Sequence, residues 1–273
     1  MGAVTAFWGA YHSDSLLIGL LVAMVISGCM AFVHAFVTIT LLADQVVSGL
    51  AITLLGGGLA SFLGQRLGSG GSPLVGLIGP RFPKIEIPLL IEIPLVGDVF
   101  FNRDAMTYGL YILVPVVAFF IYKTKHGLFL RAVGENPQAS DVMGIDVVKL
   151  RYIYTIVGGM MVGMGGAHLS LAYTPGWTEN ITGGRGWIAV ALVIFATWNP
   201  FRCVLGALLF GGVNAVQFRM QAIGTSVPAA LLNMMPYVLT ILVLIFITIF
   251  DGLRKKVGAP SSLGNPYIRE ERT

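Results

Sequence analysis

Charge is scarce in this chain. Asp, Glu, Lys and Arg together make up 11% of its 273 residues, against roughly 25% in an ordinary soluble domain. Too few charged side chains remain to cover the surface of a water-soluble fold. Hydrophobic residues at 56% and a mean hydropathy of +0.82 exclude a disordered chain. Cysteine is nearly absent: Cys29 and Cys203 are the only two, so no disulfide framework exists. Reactive clusters are missing as well. The four histidines, His12, His34, His126 and His168, are scattered without HxxxH or HExxH spacing, which speaks against a metal centre. No Gly-x-Ser-x-Gly occurs, and no Gly-x4-Gly-Lys-Ser/Thr phosphate loop occurs. These gaps argue against a membrane enzyme and put any ATP hydrolysis on another polypeptide. The net charge of +4 calls for no nucleic acid, because membrane proteins carry Lys and Arg on their cytoplasmic side.

What is present is a series of stretches without Asp, Glu, Lys or Arg: Ser15–Ala43, Gln45–Gln65, Ala105–Tyr122, Tyr152–Thr178, Gly186–Phe201, Cys203–Phe218 and Met220–Phe250. A helix needs about 20 apolar residues to cross the hydrocarbon core, within a range of roughly 17–25. The fifth and sixth stretches are slightly short, and Asn199-Pro200 between them signals a turn. The expectation is an all-α, polytopic transmembrane bundle with seven crossings.

Positive charge concentrates in two places. Lys123, Lys125, Arg131, Lys149 and Arg151 lie in the loop 123–151; Arg254, Lys255, Lys256, Arg269 and Arg272 lie in the tail 252–273. The positive-inside rule puts both in the cytoplasm. Four crossings lie between them, an even number, so the two placements agree. The transmembrane region then runs over 1–251, with the loop 66–104 outside. The first inner turn fits least well, since it holds Asp44 and no basic residue.

The outer loop is rich in Gly and Pro and repeats a short phrase, Ile85-Glu86-Ile87-Pro88-Leu89 and Ile91-Glu92-Ile93-Pro94-Leu95. Proline supplies no backbone donor, so a regular helix is excluded there. The loop reads either as an extended segment resting on the bundle or as a docking surface for an external partner.

Small residues recur at intervals of four: Gly56, Ala60, Gly64; Gly159, Gly163, Ala167; Ala207, Gly211, Ala215. Lipid tails are as apolar as leucine, so membrane helices associate through such close backbone approach. The polar groups at membrane depth are His34, His168, Asn214, Gln217 and Asn233. Each reads as an interhelical hydrogen bond, or, if several face one pathway, as part of it. No carboxylate lies deep in a span, which argues against a proton- or sodium-coupled secondary transporter.

The loop Leu130–Ile145 carries the strongest local signal. Asn136 is a good N-cap, Pro137 suits the first helical position, and Gly144 suits the left-handed residue that ends a helix. A short helix over Pro137–Met143 follows. A helix of this length is unstable alone in water, so it packs on this protein's own loops or is held out for a cytoplasmic partner.

Arg131, Ala132, Gly134, Asn136, Ala139, Gly144 and Ile145 resemble the coupling-helix loop of ABC-importer permeases in the branched-chain amino acid and simple sugar family. Ser140 departs from that pattern, where the family usually has Ala. A second block, Gly184-Arg185-Gly186-Trp187-Ile188-Ala189 leading to Asn199-Pro200, is similar to a Gly-Arg-Gly-Phe/Trp-Ile-Ala segment of the same permeases. The Tyr/Gly/Trp region and the proline-rich outer loop look most like the nucleoside branch, which works with basic-membrane-protein-type lipoproteins. The resemblance covers nearly all of Gln45–Asp251. Family members usually begin with further spans and an Asn-x-Gly-x-Glu-Gly stretch before the region matching Ala3–Tyr11. The chain as written therefore reads as a fragment, a misplaced start or a shortened subunit, with the apolar Met1–Tyr11 as the outer end of a helix.

The resemblance implies a multi-pass permease subunit of the plasma membrane, with its C-terminus in the cytoplasm. It implies no cofactor in this chain and ATP on a partner subunit. It implies three protein partners: an ATP-binding subunit, a second permease subunit in a heterodimer, and an extracellular substrate-binding lipoprotein. Arg131, Gly134, Glu135, Asn136, Pro137, Ala139, Asp141 and Gly144 would couple to the ATPase. Trp177, Asn180, Thr182, Arg185, Trp187, Asn214 and Asn233 are candidates for the pathway of a nucleoside or related small polar solute. Trp177 and Trp187 read equally as members of an interfacial aromatic belt. The other substrates in view are a sugar or a branched-chain amino acid.

Overall fold

A computed structural model describes residues 1–88, 91–93, 97–225, 227–251 and 259–269. The described residues form eleven α-helices: α1 Gly2–Ser13, α2 Leu16–Ala35, α3 Gln45–Gly64, α4 Gly97–Phe100, α5 Ala105–Lys123, α6 Lys125–Glu135, α7 Pro137–Val142, α8 Val147–His168, α9 Arg185–Phe195, α10 Pro200–Ala222 and α11 Ala229–Asp251. Two of them run on into π-helical turns, α2 into Phe36–Thr40 and α8 into Leu169–Tyr173.

Five helices among the described residues are long and apolar enough to cross a membrane: α2 and α8 with their π turns, α3, α5 and α10. The protein is an all-α, multi-pass membrane protein. α10 is longer than its uncharged stretch, because Arg202 and Arg219 are accommodated in its first and last turns. α9 is shorter than expected. Thr197 and Trp198 take positive φ angles of 49° and 57° just after it, which a continuing helix cannot accommodate.

The chain divides into two compact units. The first comprises Met1–Leu113, Phe129–Gly183 and the segment from Gly264 onward; the second comprises Val114–Leu128 and Gly184–Leu263. In the first unit, α1 is a buried helix at the centre of the packing. Ala3, Val4, Ala6, Phe7 and Ala10 form one core cluster with Ala23, Leu74, Ala167, Leu171 and Trp177.

Helices α1, α2 and α8 meet through small residues. A Cβ on Gly163 would lie 2.5 Å from the Ala23 carbonyl oxygen and 2.7 Å from Ser27 Oγ; one on Gly159 would collide with the Ala31 methyl. A Cβ on Gly19 would lie 2.5 Å from the Ala6 carbonyl oxygen. The ridge Gly159-Gly163-Ala167 therefore meets a matching ridge, Ala23-Ser27-Ala31, on α2. Such close backbone approach replaces the hydrophobic drive that lipid removes. The other two ridges behave differently. Gly64 faces the Trp177 ring, while a Cβ added to Gly211 would meet nothing within 4 Å among the described residues beyond its own helix backbone. In the second unit the close approach is made instead by Gly206, where a Cβ would collide with Leu192 of α9.

The segment 66–104 holds a small antiparallel hairpin, with strand β1 Lys84–Glu86 paired to β2 Asn102–Asp104 in the register Lys84 to Asp104. Its first repeat phrase thus enters a strand. Leu89, Pro94 and Leu95 of the repeat lie outside the described residues. Asp44 acquires a local purpose: its carboxylate caps α3, accepting from the Val46 and Val47 amides at 2.9 and 2.8 Å. That explains an acidic residue at the first turn between spans.

Candidate functional site

The approach to the 123–151 loop is set by Thr124. Its hydroxyl donates to the Phe120 carbonyl at 2.6 Å and accepts from the Gly127 amide at 3.1 Å. Gly127 lies against the Phe120 carbonyl so closely that a Cβ would collide with it. The chain therefore reverses from α5 into α6 within a single residue. Arg131 and Glu135 stand four positions apart, on one face of α6, and both are exposed.

Asn136 leaves the helical conformation at φ −147°, ψ 95°, and its side-chain oxygen accepts from the Ala139 amide at 2.9 Å. Pro137 follows in the first helical turn, where its missing N–H costs nothing. Ser140, the position that departs from the family pattern, is buried, and its hydroxyl donates to the Asn136 carbonyl at 2.8 Å. A hydroxyl in place of a methyl is thereby satisfied.

The C-terminus of α7 is closed by backbone alone. Gly144 takes φ 82°; its amide donates to Asp141 O at 2.9 Å, and the Ile145 amide reaches Ser140 O at 3.0 Å. This pair of bonds is a Schellman closure. Asp146 then caps α8 by accepting from the Lys149 amide at 3.0 Å, and Val147 is buried.

The sequence reading missed what this closure displays. Val142 is 86% exposed and Met143 81% exposed, an apolar pair at the tip of α7 flanked by charged neighbours. The signal was available, as two apolar residues between a capped helix start and the glycine that ends it. Of the expected coupling residues, Arg131, Gly134 and Glu135 lie on α6, Asn136 caps α7, Pro137, Ala139 and Asp141 lie on α7, and Gly144 ends it. Asp141 is engaged by the C-terminal segment, through Arg269 Nε at 3.3 Å and the Tyr267 hydroxyl. Partial burial raises the Tyr267 hydroxyl above its ordinary pKa, and the Asp141 carboxylate it bonds adds to the effect.

The second set of candidates is shared between the two units. Trp177 is neither an outer aromatic face nor an interfacial belt residue. It is 3% exposed, pairs with Val75 in a parallel bridge and packs its ring on Gly64. Asn180 takes a left-handed φ of 55° in an exposed turn with Thr182. Trp177, Asn180 and Thr182 belong to the first unit. Arg185, Trp187 and Asn214 belong to the second, where Arg185 opens α9, Trp187 is 60% exposed and Asn214 is half-buried on α10. Asn233 is a residue of α11, and its side chain lies outside the described residues.

The membrane-depth histidines have partners. His34 Nδ1 lies 2.9 Å from Ser48 Oγ, joining α2 to α3, and His168 Nε2 lies 3.6 Å from Asp104 Oδ2. Asp104 also accepts from the Thr107 amide at 3.0 Å and hydroxyl at 2.7 Å. Burial alone would push its carboxyl up; the Thr107 bonds and His168 outweigh that and hold it below the usual range.

Residues 1–247 match the family model described as "Branched-chain amino acid transport system / permease component". The chain belongs to this permease family. Members are transport subunits rather than enzymes. The permease is 40% identical over 290 residues to the putative glucose ABC transporter permease TsgC13 of Haloferax volcanii, covering 98% of this chain and 84% of that protein. It is 34% identical to the guanosine ABC transporter permease NupQ of Bacillus subtilis, covering 93% of this chain and 78% of that one. It is also 34% identical to the nucleoside ABC transporter permease NupC of Lactococcus lactis, covering 96% and 81%. No solved structure matches the permease.

Proposed function

We propose that this permease forms the membrane pathway of an ATP-driven importer for nucleosides or a related small polar solute. The observation that carries the reading is α7, capped at both ends and presenting Val142 and Met143 to solvent in a permease-family chain. In this reading α7 seats in a groove of a separate ATP-binding subunit. The exposed Arg131 and Glu135 orient the contact, and closure of the ATPase on ATP moves α7 and rocks the bundle. Two permease subunits, as a heterodimer, enclose the pathway, and a substrate-binding lipoprotein delivers solute to the outer face. The guanosine and nucleoside permeases among the relatives support the nucleoside. The glucose permease supports a sugar as the second reading.

Seven crossings are proposed: α2, α3, α5, α8, α9, α10 and α11. Contacts of Asp141 and Arg151 with residues 265–269 support one side of the membrane for the loop and the tail, and the positive-inside rule makes that side cytoplasmic in this reading. An even number of crossings must separate them, so α9, at 11 residues, counts as a crossing completed by flanking chain. Asn180, Thr182, Arg185, Trp187, Asn214 and Asn233 remain candidates for the pathway, with Trp177 acting as core support.

The test is uptake of labelled guanosine and labelled glucose into vesicles carrying the permease with its ATPase and binding protein. ATP-dependent uptake of guanosine is expected. Glu135→Ala with Gly144→Val should cut uptake at least about tenfold while membrane insertion is kept, since valine at φ 82° cannot keep the Schellman closure. Undiminished uptake by that variant would remove the docking role.

A further inference from the structure

The C-terminal segment returns to the coupling loop. A turn at Pro260–Leu263, closed by the Leu263 amide donating to Pro260 O at 3.0 Å, is followed by Gly264 at φ 79°. From there residues 265–269 run across the junction of α7 and α8. Arg151, in the second turn of α8, donates from Nη1 to the Asn265 carbonyl at 3.0 Å. Its guanidinium also stands 5.9 Å from the centre of the Tyr267 ring. The Tyr267 hydroxyl bonds the Asp141 carboxylate, and Arg269 Nε lies 3.3 Å from Asp141 Oδ2. One short segment therefore holds α8 at one end and α7 at the other.

We propose that residues 265–269 are a strap that sets the orientation of the coupling helix, with Arg151, Tyr267 and Arg269 as positioning residues acting through Asp141. The proposal rests on the importer reading above. The physical need is plain. A six-residue helix cannot hold itself in water, and its caps fix its ends without fixing its tilt. Asp141 lies in the last turn of α7, next to the Val142–Met143 tip, so a tether there controls how the tip is presented.

The alternative use of such a segment is to cover the tip and block docking. The geometry decides against it, because Val142 and Met143 stay more than four-fifths exposed with the strap in place. Each contact is weak by itself; Arg269 is 79% exposed, and exposed ion pairs contribute little. The ordering comes from four contacts sharing one short segment, so that fixing one lowers the entropy cost of the next.

Two measurements test this on the full-length chain in membrane vesicles. The first is independent of transport. With Cys29→Ser and Cys203→Ser as background, Val142→Cys and Ile268→Cys together, which leave Asp141, Tyr267 and Arg269 in place, should be joined within one chain by a short bismaleimide, read by mass spectrometry. The pair Val142→Cys and Ser261→Cys is the control. No cross-link above that control overturns the strap. The second is ATP-driven uptake of labelled guanosine and glucose. Asp141→Arg alone and Arg269→Asp alone should each lower uptake about fivefold at equal insertion, and the combined exchange should restore most of it. A merely structural role would leave the exchange as impaired as its worse single variant. That result, or wild-type uptake in both singles, overturns the proposal. A cross-link that forms as expected in the double-cysteine variant, with no ATP-driven uptake by the wild-type chain, removes the importer reading and the strap's coupling role with it. Transport by the wild type with no cross-link in the double-cysteine variant removes the strap alone.

Discussion

Asn136 shows how much one side chain can set. Its oxygen occupies the Ala139 amide, which no helical carbonyl can reach, and so it starts α7 at a defined residue. Asn136→Ala should cost about 1 kcal/mol of local stability, read as faster amide exchange at Ala139, and Asn136→Asp should restore protection. Trp177 and Trp187 look alike as sequence yet differ as residues. Trp177→Ala empties a site between Gly64 and the α1–α2–α8 core. It should cost about 3–5 kcal/mol, seen as a lowered thermal midpoint in detergent. Trp187→Ala should change that midpoint little, because the side chain is exposed on α9. Equal losses for the two would contradict the burial described here.

At the scale of elements, the governing contact is the small-residue seam between α2 and α8. Gly163 has the Ala23 carbonyl and the Ser27 hydroxyl where a side chain would go. Gly163→Leu must separate the two backbones and should abolish the monodisperse peak in size-exclusion chromatography. A Cβ added at Gly211 on α10 meets nothing within 4 Å among the described residues beyond its own helix backbone, so Gly211→Ala should leave this subunit's own stability unchanged. The contrast tests a difference that spacing alone does not reveal, since both glycines sit in small-residue ridges of the same period. The π turns that end α2 and α8 carry no equivalent signal, because they depend on packing at the helix ends rather than on composition.

For the whole molecule, the β1–β2 hairpin is tied through Asp104 to Thr107 of α5 and His168 of α8. The lowered Asp104 pKa gives this tie a definite pH dependence. A carboxyl held below its unfolded value, about 3.9, contributes stability that is complete above that pH and is lost as pH falls through the lowered value. Protection of the Asn102–Asp104 amides, the exchange rate relative to its intrinsic rate at each pH, should therefore be high at neutral pH and fall below the ordinary carboxylate range. Asp104→Asn should keep the Thr107 bond in part while flattening that acid response. A response unchanged in Asp104→Asn would assign it to another group.

Much of this was determined by the sequence itself. Sparse charge and long apolar stretches establish a multi-pass membrane protein, because the bilayer tolerates only backbone that bonds within its own helix. Asn136, Pro137 and Gly144 define α7, since caps act through neighbours three or four residues away. The family likewise reads from such local blocks. Tertiary structure decided the rest. Only it places Trp177 in the core, selects Gly163 and Gly206 over Gly211 for close approach, ends α9 early and gives Met1–Tyr11 a buried helix. Only it brings Asn265, Tyr267 and Arg269 onto Asp141 and Arg151, more than 110 residues away in the chain. Period and composition describe a residue's own helix; they carry no information about which distant backbone will lie against it.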